Sequence, residues 1–112
     1  MSHEIRLDKE PFEMIASGLK TVEYRVNDEK RKKIKIGDTI TFKKRPLCEE
    51  KIVAKVTNLT YYKDLLAMYT DTFDLYLCDR YKSPEEVVID TPYYSEEEIK
   101  AMGCVTISFT KI

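Results

Sequence analysis

The segment Lys20-Thr21-Val22-Glu23-Tyr24-Arg25 gathers a lysine, a carboxylate and a guanidinium within six residues. A lysine and a glutamate three residues apart can exchange a proton if burial lowers the lysine pKa. A guanidinium offers a planar fork of donors to a phosphate or to a base edge. Spacing alone leaves these uses open. The simplest competing reading is a surface salt bridge between Glu23 and Arg25, worth about 0–1 kcal/mol.

Downstream, Lys30, Arg31, Lys32, Lys33 and Lys35 form a basic run that Lys43, Lys44 and Arg45 extend. Such a run is either a solvated loop or a clamp on a nucleic-acid backbone. In a clamp, each phosphate neutralised adds close to one unit to the salt slope of binding. Lys30, Arg31, Lys33 and Lys43 are its candidate contacts. Tyr61-Tyr62 and Tyr93-Tyr94 are paired aromatics. One member of each pair can pack while the other covers surface. Alternatively, Tyr93 and Tyr94 line a cleft mouth and stack an unpaired base, at about 1–3 kcal/mol per base. Glu96, Glu97 and Glu98 read first as charges favoured at a helix N-terminus.

Other chemistries are poorly supplied. His3 is the only histidine, which leaves no Ser-His-Asp triad and no histidine-based metal site. Cys48, Cys78 and Cys104 are odd in number and widely spaced, with no CxxC pair. Reduced, buried thiols fit that pattern better than a disulfide framework or a zinc knuckle. Asp28, Glu29 and Asp38 are scattered through basic sequence rather than clustered at ligand spacing. No metal and no cofactor are expected. The net charge is −1, but residues 20–55 hold twelve Lys/Arg against six Asp/Glu, while the remainder holds seven against fourteen. A general DNA binder is basic overall; this chain has only a local basic patch, suited to one anionic ligand.

The elements that must position these groups follow from periodicity. His3–Leu7 reads as a strand. Phe12, Ile15 and Leu19 have helical spacing, with Pro11 in the first turn and Gly18 at the end. Residues 21–26, 39–42, 51–57 and 105–109 alternate as half-buried strands. Residues 65–77 have helical spacing, although Phe73-Leu75-Leu77 also suits a strand. Ser83-Pro84-Glu85-Glu86 and Ser95-Glu96-Glu97-Glu98 are capping boxes that open two more helical segments, the second ending at Gly103. The order is β-α-β-β-β-α-α-β, an α+β chain of 112 residues that fits one domain spanning 1–112. The last strand must pair with an earlier one to avoid an exposed edge. A small mixed β-barrel with flanking helices meets these demands. No run approaches the ~18 apolar residues of a membrane span, and the N-terminus has no signal-peptide apolar stretch. A cytoplasmic location is expected.

Three stretches together resemble the signature of the ASCH family: Pro11-Phe12-Glu13-Met14-Ile15-Ala16-Ser17-Gly18-Leu19-Lys20-Thr21-Val22-Glu23-Tyr24-Arg25, then Asn27-Asp28-Glu29-Lys30-Arg31, then Ile36-Gly37-Asp38-Thr39-Ile40-Thr41-Phe42. Gly103-Cys104-Val105-Thr106-Ile107 resembles its closing glycine and strand. The resemblance implies a PUA-like barrel with a cleft floored by the Lys-Thr strand. It also implies that RNA or a modified nucleoside is the partner, since the family is generally regarded as RNA-binding. Some members resemble small amidohydrolases acting on acylated cytidine, or nucleases, so Lys20 and Glu23 are alternatively the acid–base pair of an amidohydrolase or of a metal-independent ribonuclease. Amidohydrolase members are similar in using a Lys here and a Thr three residues later. This sequence departs from them, having Glu23 at that second position, with Thr21 next to Lys20; under the resemblance Lys20, Thr21 and Glu23 are the candidate catalytic groups, and Lys20 and Arg25 candidate ligand contacts.

Overall fold

The structure is a computed structural model that describes residues 1–112. The chain runs β1 (Ser2–Leu7), α1 (Lys9–Ala16), β2 (Val22–Val26), α2 (Glu29–Lys32), β3 (Thr39–Lys44), β4 (Lys51–Tyr62), α3 (Leu65–Thr72), two 3-10 turns (Phe73–Leu75 and Leu77–Asp79), α4 (Pro84–Ile89), α5 (Glu96–Met102) and β5 (Cys104–Lys111). The five strands form one sheet in the order β1-β3-β4-β5-β2. β1 pairs parallel with β3, and β3 pairs antiparallel with β4. This is the mixed α+β class expected from the sequence, with the C-terminal strand inside the sheet. The chain divides into two compact units, one of residues 1–23, 33–59 and 107–112 and one of residues 24–32 and 60–106.

The first unit is built on strand alternation. Ile5 and Leu7 of β1, Ile40 and Phe42 of β3, and Ala54 and Val56 of β4 are buried, while the residues between them face outward. The Phe42 and Phe109 rings pack with centroids 4.9 Å apart. α1 adds Phe12 and Ile15, three residues apart on one helix face. Pro11 sits in its first turn, where a missing N–H breaks no helical bond. At the other end, Lys111 Nζ donates to the Ala16 carbonyl at 2.7 Å and satisfies a terminal acceptor. Asp38 ties β1 to the turn before β3: its Oδ2 accepts from His3 Nε2 at 2.8 Å and from the Lys35 N–H at 2.9 Å. These hydrogen bonds, the histidine's above all, hold the Asp38 carboxyl down at a pKa of about 2.

The second unit is helical. α3 buries Leu65, Met68, Tyr69 and Thr72 along one stripe, and Asp64 caps it by accepting from the Ala67 N–H at 2.8 Å. α4 is capped by Ser83 with Pro84 in its first turn. α5 opens on a reciprocal Ser95–Glu98 capping box and ends at Gly103. Both helix starts lie where the sequence puts them, but only the second box closes: at α4 the Glu86 side chain accepts from the Lys82 N–H instead of the Ser83 N–H. Three details differ from expectation. The helix over 65–77 stops at Thr72, whose hydroxyl donates back to the Met68 carbonyl at 2.8 Å; tighter turns follow, burying Tyr76 and Leu77. The basic run begins as a one-turn helix because Asp28 Oδ1 accepts from the Arg31 N–H at 3.0 Å. β4 continues to Tyr62, five residues beyond Thr57.

Gly103 is irreplaceable on two counts. Its backbone, φ 71° and ψ −172°, lies in a region essentially reserved for glycine. A Cβ there would also meet the Tyr62 carbonyl oxygen at 2.9 Å. Gly103→Ala should destabilise the protein by about 1–3 kcal/mol or more in urea denaturation. Asp38 predicts an acid limb. Its depressed pKa contributes stability that is present above the ordinary carboxylate value and lost as pH falls from about 4 toward 2. Asp38→Asn should flatten stability in that window, as measured by thermal melts against pH.

Candidate functional site

After α1, Gly18 adopts φ +85° and the Lys20 N–H donates to the Met14 carbonyl at 3.0 Å. The chain thus doubles back on the helix before β2 begins at Val22. Lys20 lies in this turn, outside the strand, so strand alternation does not separate it from Glu23. Lys20 Nζ meets Glu23 Oε1 at 2.9 Å, and the two residues are only 6 % and 4 % exposed. Val22 is buried as well. Both neighbours on β2 are therefore covered, and the simple inward–outward alternation expected of this strand does not hold. Glu23 is not half of a surface bridge. Taking two charges out of water costs several kcal/mol per ion, offset only by close geometry. Buried, tightly paired ions in a small protein are accordingly functional-site candidates. Thr21 stays apart from the pair: its side chain is exposed, and its carbonyl accepts from the Phe109 N–H at 3.1 Å.

In the second unit Arg25 is half-buried, and the neighbouring Tyr24 joins an aromatic cluster. Its ring lies 5.4 Å from Tyr69, edge to face, and 6.2 Å from Tyr76. Thr91 Oγ1 donates to the Val87 carbonyl at 2.7 Å, which uses its one proton. The Tyr69 hydroxyl, 3.1 Å away, must then donate to Thr91. Burial pushes the Tyr69 pKa up and keeps that proton in place. The Tyr62 hydroxyl donates to Asp71, and the Tyr81 hydroxyl donates to Asp90 at 2.8 Å. All eight tyrosines of the chain belong to this unit. Tyr93 is 73 % exposed and Tyr94 half-buried, with ring centroids 5.6 Å apart in a T-shape. Tyr61 and Tyr62 divide in the same way.

The basic residues split. Lys30 is exposed and Arg31 half-buried in the second unit, with Arg31 Nη1 3.6 Å from Asp28 Oδ2. Lys33 is exposed in the first unit. Lys43 pairs there with Glu4 at 2.7 Å, Lys44 with Glu50, and Arg45 lies 3.5 Å from Asp8. The run is thus several local pairs plus the exposed Lys30 and Lys33. Of the three thiols expected to be buried only Cys104 is, Cys48 being half-buried and Cys78 exposed; burial pushes the Cys104 thiol up to about 11, so it is a poor nucleophile. No group of three or more His, Cys, Asp or Glu is arranged to hold a metal ion. No helix is long and apolar enough to cross a membrane.

A family model for the ASCH domain matches residues 5–112, which takes in the turn holding Lys20, the β2 strand and both helical caps. The chain belongs to the ASCH domain family. Two solved structures resemble it along its whole length. Hypothetical protein PH0355, a crystal structure, is 34 % identical with a TM-score of 0.85, covering 100 % of both chains. Protein PF0455 from Pyrococcus furiosus, a solution NMR structure, is 30 % identical with a TM-score of 0.75, covering 100 % of this chain and 98 % of the other. No curated protein matches the chain in sequence.

Within this ASCH domain, the sequence singled out Lys20 and Glu23 but not their mutual burial. It did not single out Tyr69 or Tyr76, which tertiary packing brings to Tyr24 across 45 residues or more of chain, nor Thr91, which bonds Tyr69 across 22. The one signal available was composition, eight Tyr with no Trp. Removing one ion of the buried pair strands the other. Lys20→Met or Glu23→Met alone should cost about 3–5 kcal/mol, while the two together should recover most of that loss. A double-mutant cycle by urea denaturation measures both.

Proposed function

We propose that this ASCH domain binds RNA or a modified nucleoside through the polar residues of the Lys20–Arg25 segment. The observation that carries the reading is the buried Lys20–Glu23 pair at 2.9 Å. Two apolar side chains of similar volume would hold the same turn at lower cost. A pair kept in spite of that cost is best explained by a ligand that uses it. Glu23 accepts from a base amine or orients Lys20, and Arg25 directs its fork at a phosphate or base edge. In the second unit the exposed Tyr93 and the half-buried Tyr94 are the rings on which an unpaired base stacks, since Tyr69 and Tyr76 are buried against Tyr24. In the second unit, exposed Lys30 and half-buried Arg31 add phosphate contacts. RNA is favoured over duplex DNA by the family and by a chain whose net charge is −1.

A second reading rests on the same pair. A lysine and a carboxylate in hydrogen-bond contact and shielded from water can shuttle a proton, as amide hydrolysis of an acylated cytidine requires. Thr21, the third candidate of this reading, follows Lys20 directly and has an exposed side chain.

Cytidine, acetylated cytidine and a short single-stranded RNA, each titrated by NMR, test the binding reading. Arg25→Ala should weaken binding of at least one of them about 10- to 100-fold with an unchanged melting temperature. A collapsed melting temperature would make Arg25 structural, and no binding of any of the three would end the proposal. Release of acetate from acetylated cytidine, abolished in Glu23→Gln, would establish the hydrolase.

A further inference from the structure

The outer side of the sheet in the first unit carries a second arrangement of charge, separate from the Lys20–Arg25 segment. Strand register sets Arg6 of β1 opposite Lys43 of β3, and Lys43 opposite Lys51 of β4. Residues paired in this way project from the same side of a sheet, with Cβ atoms about 5 Å apart. Ile5, Leu7, Phe42 and Ala54 point inward and are buried, so the row of three cations lies on the outer side. Further along the same side, Lys55 of β4 stands opposite Thr39.

Like charges directly opposite one another destabilise a sheet, yet three stand in line here. One carboxylate answers them: Glu4 Oε1 lies 2.7 Å from Lys43 Nζ and 4.0 Å from Arg6 Nε. That leaves four cations to one anion. The side is open to solvent, with the Arg6 side chain 63 % exposed and Lys51 and Lys55 also exposed. Among the β1, β3 and β4 residues of that side the one apolar side chain is Val53, at 40 % exposure, short of the buried anchor cluster a protein partner needs. It offers cations on strands about 4.8 Å apart, interleaved with the hydroxyls of Thr39 and Thr41. Cations and hydroxyls on a sheet surface are the donors that grip phosphate and sugar rather than bases.

We propose that this outer sheet side is a docking surface for the sugar-phosphate backbone of single-stranded RNA. The bound phosphates relieve the repulsion among Arg6, Lys43 and Lys51 that Glu4 alone only partly neutralises. The surface goes beyond the base-binding reading, because it requires no base to be recognised.

The test is fluorescence anisotropy of a labelled 15-nucleotide oligouridylate over a series of KCl concentrations. Lys51→Gln combined with Lys55→Gln should make the log–log salt slope shallower by about 1.4, two contacts at roughly 0.7 each. Glu4→Gln should tighten binding several-fold at low salt, a gain that a damaged fold cannot produce. An unchanged slope in the double variant, an absence of tightening in Glu4→Gln, or no binding of the oligonucleotide by the unaltered protein would each overturn the proposal. So would polyglutamate competing as well as RNA does, which would point to an acidic protein partner. Cytidine titrated into the same variants reports on the Lys20–Arg25 segment separately and should be unaffected, so either reading can fail without the other.

Discussion

A lysine and a glutamate withdrawn from water impose tight conditions on whatever surrounds them. Their attraction offsets the lost hydration only if the heavy atoms stay near 2.9 Å and the chain around them does not breathe. The first unit meets that condition with several devices. Phe12 and Ile15 seat α1, Gly18 turns the chain, and the Met14 carbonyl fixes the Lys20 backbone. The Thr21 carbonyl is bonded to Phe109 of β5, whose ring packs on Phe42. Each contact is ordinary in isolation; together they hold the turn rigid enough for a buried charge pair.

The polar chemistry of the chain is sorted rather than spread. Tyrosines and their acceptors, Asp71, Asp90 and Thr91, fill the second unit, so its apolar contacts carry hydroxyls that must be satisfied. Apart from the buried Lys20–Glu23 pair, the first unit is packed with aliphatic residues and phenylalanine inside and carries its charge outside. A ring that both stacks and donates a hydrogen bond suits a nucleobase, whereas a lysine on a strand suits a phosphate. The two units therefore differ in the kind of polar group they hold.

Much of this was legible before any coordinates. Period-two alternation located Ile40, Phe42, Ala54 and Val56 on the inner side, and serine followed by glutamate three residues on located the starts of α4 and α5. Those signals are local, and local physics decides them. The burial of Glu23 was not legible, because alternation marks a strand's inner side but cannot tell whether the other side is covered. The break at Thr72 depends on a side-chain bond to the Met68 carbonyl that competes with the helical ladder. The charge row of Arg6, Lys43 and Lys51 exists only once register is known, since a slip of one residue would send each to the opposite side. Sequence showed Lys43 as part of a run along the chain; the sheet makes it part of a row across the chain.

The confinement of all eight tyrosines to residues 24–32 and 60–106, in a chain without tryptophan, gives the molecule a built-in optical asymmetry. Near-ultraviolet ellipticity and intrinsic emission excited at tyrosine wavelengths come from the helical unit alone, while the unit containing Lys20 and Glu23 is spectroscopically dark apart from weak phenylalanine bands. An optical melt therefore follows one unit, and amide hydrogen exchange follows both. Agreement between the two would mean that the units unfold as a single cooperative body.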